Sequence, residues 1–292
     1  MRGFLRFGTS LLISQLIGYV AKNVDTFIIG RWFGPQNAAY YTRAFQLLMN
    51  PLGQIRAPST SVALPALSRA RDDQRRFDQY VIAGQLALAT PLTIVLAVVI
   101  GAAEPAIRVF LGDGWDASVP VLRWLAVAGL FQTLAFVGYW IYLARGKTHA
   151  LMQYSVASAL IQILCILIGA RWGITGVAIG YAIVPIISWP LSLWWLSRAT
   201  PVPQRAFYAG AMRLIGLGFA VGMAAWGAVV WAATWPELAP GGIGQAFAQL
   251  ALAVLAALAV TALVTALIPI YRRDAQQIVF IVKLALPRKD AR

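Results

Sequence analysis

The sequence is short of charge. Only 12% of its 292 residues are Asp, Glu, Lys or Arg, against roughly 25% in soluble domains, and the mean hydropathy is +0.72. A soluble globular domain is thereby excluded. Acidic residues number ten, and there is one histidine and one cysteine. A single Cys165 admits neither an intrachain disulfide nor a cysteine-based metal site, and within IQILCILIGA it reads as packing or lipid contact. The lone His149 stands in GKTHA at a helix start, where it meets solvent or headgroups. The chain offers no His/Asp/Ser set, no acidic pair at metal spacing and no phosphate-cradling glycine loop. It carries no recognisable enzyme site and calls for no cofactor.

What is present is a succession of apolar runs, each long enough to cross a hydrocarbon core of ~30 Å as a helix of about 20 residues. The pattern predicts an all-α integral membrane protein, a polytopic bundle of about eight transmembrane helices at 5–33, 37–68, 77–110, 117–145, 149–169, 173–198, 206–233 and 243–270. Glycine and proline punctuate the short connections FGPQ, LGDGWD, ARGK, RWG, TPVP and WPELAPGG. Function therefore resides in the bundle rather than in loops. The first run follows the basic start MRGFLRFGTS, has no small-residue cleavage site, and continues through Lys22 and Asp25. It reads as a membrane helix and not as a signal peptide.

The net charge of +14 would suggest nucleic acid in a soluble protein. Here the cations gather at alternate ends of the apolar runs: Arg2 and Arg6; Arg69, Arg71, Arg75 and Arg76; Arg145 and Lys147; Arg198, Arg205 and Arg213; then Arg272, Arg273, Lys283, Arg288, Lys289 and Arg292. The other ends hold only Arg31, Arg108 and Arg171. This is the positive-inside pattern, with both termini cytoplasmic and no nucleic-acid partner. The expected organisation is a six-helix unit over 1–198, two further membrane helices over 199–270, and a basic cytoplasmic tail over 271–292. Within the tail, AQQIVFIVKLAL is too short to span and is expected to lie at the interface. Two GxxxG pairs, Gly176/Gly180 and Gly218/Gly222, predict close intrachain helix packing.

Polar residues inside the first two helices break the apolar pattern. In YVAKNVDTFIIGRWFG, Lys22, Asn23 and Asp25 lie within a span, and on an ideal wheel Gln15, Tyr19, Lys22 and Thr26 share a stripe, with Asp25 one turn from Lys22. In the next helix Arg43, Gln46, Asn50, Gln54 and Ser61 line one face, while Arg56 points elsewhere unless Pro51 and Pro58 rotate it inward. A charge facing lipid at mid-bilayer costs about 2.5–3.5 kcal/mol on the more lenient scale. Two readings meet that cost. Either these residues line a water-accessible cavity suited to an anionic ligand, or they form buried pairs such as Lys22 with Asp25 that only fix helix positions. Asp25 is the carboxylate set deepest in a span, hence the candidate for ion coupling. Arg123 is close enough to a helix end to snorkel. Ser155, Ser158 and Gln162 share a face and read as interhelical hydrogen-bonding groups.

The order of features from residue 5 to residue 80 resembles the polysaccharide exporters of the Wzx type, lipopolysaccharide and exopolysaccharide flippases of the MATE-like superfamily. The matching elements are Arg6-Phe7-Gly8, Asn23-x-Asp25, Ile29-Gly30, Gly34, Tyr40-Tyr41, Pro51-Leu52 and Pro65-Ala66-Leu67-Ser68-Arg69, followed by an acidic-basic loop. Beyond residue 80 the likeness rests on hydropathy, LARGKT and GITGVAIGYAI. The resemblance implies the C-terminal lobe of a two-lobed transporter with two trailing helices, the N-terminal lobe being absent. It implies movement of undecaprenyl-diphosphate-linked oligosaccharide across the bacterial inner membrane for lipopolysaccharide, capsule or exopolysaccharide. The partners would be that lipid-linked oligosaccharide, membrane lipids and a missing N-terminal lobe or a second copy. Lys22, Asn23, Asp25, Arg43, Gln46, Asn50, Gln54 and Arg56 would then line the wall of a central cavity. Alternatives are a MATE-like small-molecule exporter, which would favour acidic cavity residues, a truncated lobe that does not act alone, and a membrane polymerase or ligase, which would need a sizeable outer loop.

Overall fold

The computed structural model describes residues 2–235 and 242–276, with side chains from residue 24 onward. Every regular element among them is helical: α1 (Arg2–Arg69), α2 (Gln74–Gly101), α3 (Ala103–Leu111), α4 (Ser118–Ala144), α5 (Thr148–Gly169), α6 (Gly173–Ala199), α7 (Gln204–Ala232) and α8 (Ile243–Leu267). Five stretches are long and apolar enough to cross a membrane: α2, α4, the continuous Thr148–Ala199 stretch holding α5 and α6, α7 and α8. The chain is a multi-pass membrane protein. The 27 residues of α4, at about 1.5 Å each, exceed a hydrocarbon core of ~30 Å.

The first two expected helices are the two limbs of α1. Gly34 sits between them with φ 82° and ψ 171°, a region essentially restricted to glycine, and Pro35 opens the second limb where its missing N–H costs nothing. The turn is a reversal. Asp25 and Tyr41, 16 positions apart, are joined by a hydrogen bond of 2.7 Å, whereas a straight helix would separate them by about 24 Å.

The expected helix over 77–110 is divided. A proline at 105 has no N–H for the carbonyl at 101 and its ring crowds that carbonyl, so α2 ends at Gly101 and the short α3 follows after Ala102 (φ −112°, ψ 31°). The remaining boundaries lie within a few residues of expectation. The expected interfacial helix lies almost wholly outside the described residues.

Polar contacts tie the two ends of the bundle. At one end Ser118 Oγ donates to the Tyr40 carbonyl at 2.9 Å, and the Tyr40 and Trp115 rings meet edge to face. At the other, Arg145 donates to the Arg71 carbonyl and Gln74 Oε1, each at 2.6 Å, and lies over the Phe77 ring. The second limb of α1, α4 and α6 run in the same direction: Ser118 and then Trp140 meet Tyr40 and then Thr60, and Gln132 and then Tyr142 meet Tyr181 and then Ser192. The predicted glycine pairs pack within the chain. A Cβ on Gly176 or Gly180 would strike the backbone of Gly169 or Cys165 in α5, and one on Gly218 would come within 2.9 Å of Thr93 in α2. Helix α7 therefore lies against α2, where the buried Gln85 donates to the Phe207 carbonyl. After α8, residues 269–276 continue as helix, pinned to α7 by the Arg213–Asp274 ion pair at 3.0 Å and by Tyr271 OH on the Arg213 carbonyl.

Candidate functional site

Asp25 is 2% exposed. Its carboxylate accepts from the Tyr41 hydroxyl at 2.7 Å and from its neighbour's N–H at Thr26 at 2.8 Å. Burial of a carboxylate is tolerable only with such donors. The side chains of Lys22 and Asn23, the other two polar residues of this segment, lie outside the described side chains, as do those of Gln15 and Tyr19.

The second limb of α1 carries its polar residues on opposite sides. Arg43, Gln46, Asn50 and Gln54 are all exposed on one face, as is Ser61 nearer the limb's end, and Arg43 Nη1 reaches Gln46 Oε1 at 3.5 Å. Arg56 turns away from this stripe, into the body of the bundle. Its two terminal nitrogens donate to Gln132 Oε1 at 3.4 and 3.3 Å, and its Nε donates to the Leu52 carbonyl at 3.4 Å. Gln132 in turn donates to the Tyr181 hydroxyl at 3.2 Å. Among the described residues no carboxylate lies within ion-pair distance of this guanidinium.

Arg56 heads a cavity of about 330 Å³ between the second limb, α4, α5 and α6. The cavity runs from mid-depth toward the end of the bundle that holds Arg145. Ser155, Ser158 and Gln162 line it, and so do the buried Ser188 and Ser192. The first three were expected to bridge helices. They make no side-chain hydrogen bond to another described residue and instead present their polar groups to the cavity. Aromatic pairs form its walls: Tyr142 and Tyr154 stack with centroids 6.3 Å apart, and Phe136 and Tyr139 at 5.6 Å. Sequence reasoning named Arg56 and the α5 residues but had no means of bringing Tyr142, Ser188 and Ser192 to the same place.

The two polar centres are linked through aromatic rings. Tyr41 stacks on Phe45, whose ring meets Tyr181 edge to face at 5.8 Å, and Tyr181 receives the Gln132 amide that holds Arg56. Arg123 lies apart, exposed at the rim of an apolar groove between α2, α4 and α7. His149 is exposed at the start of α5.

The site thus comprises a buried carboxylate, an exposed polar stripe and a cavity headed by an arginine, all on a multi-pass helical bundle. Residues 1–120 match a family model described as polysaccharide biosynthesis protein. The chain is 25% identical over 233 residues to the teichuronic acid biosynthesis protein TuaB of Bacillus subtilis (strain 168), covering 78% of this chain and 47% of that one. It is 27% identical over 192 residues to the lipopolysaccharide biosynthesis protein WzxC of Escherichia coli (strain K12), covering 64% and 38%. Its fold is similar to that of the lipid II flippase MurJ in an inward closed conformation, with a TM-score of 0.65 at 16% identity, over 90% of this chain and 54% of that one. The chain is thus similar in sequence to proteins of polysaccharide biosynthesis, the resemblance its motifs carry. It spans less than half the length of these curated relatives.

Proposed function

We propose that the chain forms one lobe of a flippase that moves undecaprenyl-diphosphate-linked oligosaccharide from the cytoplasmic to the outer face of the bacterial inner membrane, without catalytic chemistry. The observation that carries this reading is the exposed stripe of Arg43, Gln46, Asn50 and Gln54 on the outer face of the second limb of α1. Facing lipid, its one arginine alone would cost about 2.5–3.5 kcal/mol. Facing a water-filled cavity closed by a second lobe, it costs little, and the guanidinium fork is available to diphosphate oxygens. The occupant opposite is an N-terminal lobe or a second copy of this chain, and relatives of which the matched region covers less than half support the former.

In this reading Lys22, Asn23 and Arg43 belong to the cavity wall, and Asp25 is the ion-coupling residue. A buried carboxylate joined to a tyrosine on the facing limb is suited to exchanging a cation or proton as the limbs move. Both termini are cytoplasmic, and residues 1–198 form the lobe to which α7 and α8 are appended.

The test is a flipping assay in proteoliposomes with a fluorescent polyprenyl-diphosphate oligosaccharide. Substrate accessible at one face becomes accessible at the other when this chain is reconstituted with its complementary lobe, and Arg43→Gln lowers the rate at least about tenfold. Asp25→Asn removes the dependence on the driving ion. A rate unchanged by Arg43→Gln at equal protein incorporation overturns the cavity assignment.

A further inference from the structure

We infer that the cavity headed by Arg56 is a binding site for a single glycosyl phosphate, with the phosphate on the guanidinium and the sugar ring between the serine hydroxyls and the aromatic walls. This deepens the transport reading and rests on it for the reason a sugar phosphate reaches the lobe interior. The chemistry of the cavity stands independently.

The site carries one cation and no anion among the described residues within ion-pair distance. Arg56 is held by an amide oxygen and a carbonyl oxygen, both neutral, at 3.3 to 3.4 Å. These bonds occupy one N–H on each guanidinium nitrogen and leave the second N–H of each terminal nitrogen for another acceptor. A half-buried cation among neutral groups favours an anion, and the fork matches phosphate oxygens. Gln132 fixes the fork and is itself fixed by its amide on Tyr181, so the anion site is oriented before a ligand arrives.

The lining below the arginine is polar and aromatic. Ser155, Ser158 and Gln162 from α5 face Ser188 and Ser192 from α6, and their side chains take no described hydrogen-bond partner. Hydroxyls and an amide can both donate and accept, as the rim of a sugar ring requires. A pyranose also presents C–H groups on its faces, and these suit flat aromatic surfaces such as Tyr154 on Tyr142 and Tyr139 on Phe136. The volume of about 330 Å³ lies at the small end of ligand pockets and fits one sugar with one phosphate rather than an oligosaccharide.

Two sources could supply this chemistry, a lipid headgroup or a soluble sugar phosphate. The full chain in nanodiscs is titrated calorimetrically with a soluble hexose 1-phosphate, inorganic phosphate, the free hexose, uridine 5′-monophosphate and a short-chain polyprenyl-phosphate hexose. We expect a hexose phosphate, soluble or lipid-linked, to bind more tightly than inorganic phosphate, free hexose or nucleotide. Binding of only the lipid-linked form assigns the headgroup as source, and binding of both at equal affinity assigns the soluble sugar phosphate. Arg56→Gln weakens binding at least about tenfold, Tyr154→Ala lowers affinity for the hexose phosphate but not for phosphate, and Arg123→Gln, at the rim of the separate apolar groove, leaves the titration unchanged. Should Arg56→Gln fail to fold, the Ser155→Ala/Ser158→Ala double variant on the accessible wall takes its place, with a severalfold loss expected. Equal binding by wild type and these variants overturns the site, as does tighter binding of phosphate or nucleotide. A chain that binds hexose phosphate through Arg56 yet supports no flipping with its complementary lobe retains this site and loses the transport reading.

Discussion

At the scale of single residues, the two ionisable groups that matter most were legible as anomalies and illegible as interactions. Asp25 stands out in the sequence because a carboxylate has no place among Val24, Phe27 and Ile28 unless something receives it. Its receiver, the Tyr41 hydroxyl, lies 16 positions away and no helical wheel joins them. Removing that hydroxyl leaves a buried acceptor short of a donor. Tyr41→Phe is accordingly expected to destabilise the chain by about 1–3 kcal/mol, read as a lowered unfolding midpoint in detergent, while Tyr40→Phe at the partly buried neighbouring position changes it little. Arg56 shows the converse. The wheel correctly set it off from the stripe of Arg43, Gln46, Asn50 and Gln54, but its destination at Gln132, 76 positions on, depends on how α4 packs against α1.

At the scale of elements, local chemistry decided most of the breaks. Gly34 before Pro35 ended the first limb, and Asp73 caps α2 through the Arg76 N–H at 3.1 Å. Pro105 lies inside the apolar run that predicts one helix over 77–110. The apolar run masked a break that the missing N–H imposes. The glycine pairs were read as packing surfaces and serve that purpose, but which helix each meets was not readable, because a GxxxG face specifies closeness and not a partner. In the α5–α6 contact the groups opposite are backbone atoms that cannot yield: a Cβ on Gly176 would meet the Gly169 carbonyl oxygen and come within 2.8 Å of Trp172 Cβ. Gly176→Leu is therefore expected to separate α5 from α6 and cost at least about 3 kcal/mol, seen as loss of monodisperse protein on gel filtration. Gly227→Ala, in open space on α7, is expected to be silent.

At the scale of the whole molecule, the alternation of cationic ends makes a directional prediction. In a Cys165→Ser background, single cysteines at Asp72 and Lys147 should be shielded from an impermeant thiol reagent applied outside intact cells, and one at Asp113 should react. Labelling at Asp72 but not Asp113 would invert the orientation. Composition and periodicity alone determined that the chain is an all-helical membrane bundle, since a low share of charge and runs of about 20 apolar residues leave few other structures for the backbone in lipid. They also located the polar segment of α1, because charge within an apolar run is costly wherever it faces. Only the tertiary structure decided which polar residues meet. It turned α1 back on itself at Gly34, joined Asp25 to Tyr41, left the Arg43 stripe exposed, and set Arg56 at the head of an open cavity lined by α4, α5 and α6. The physical reason is one of range. Propensity, capping and hydropathy act over a few residues, whereas a cavity is made by side chains far apart in sequence, and their meeting is fixed by the packing of whole helices.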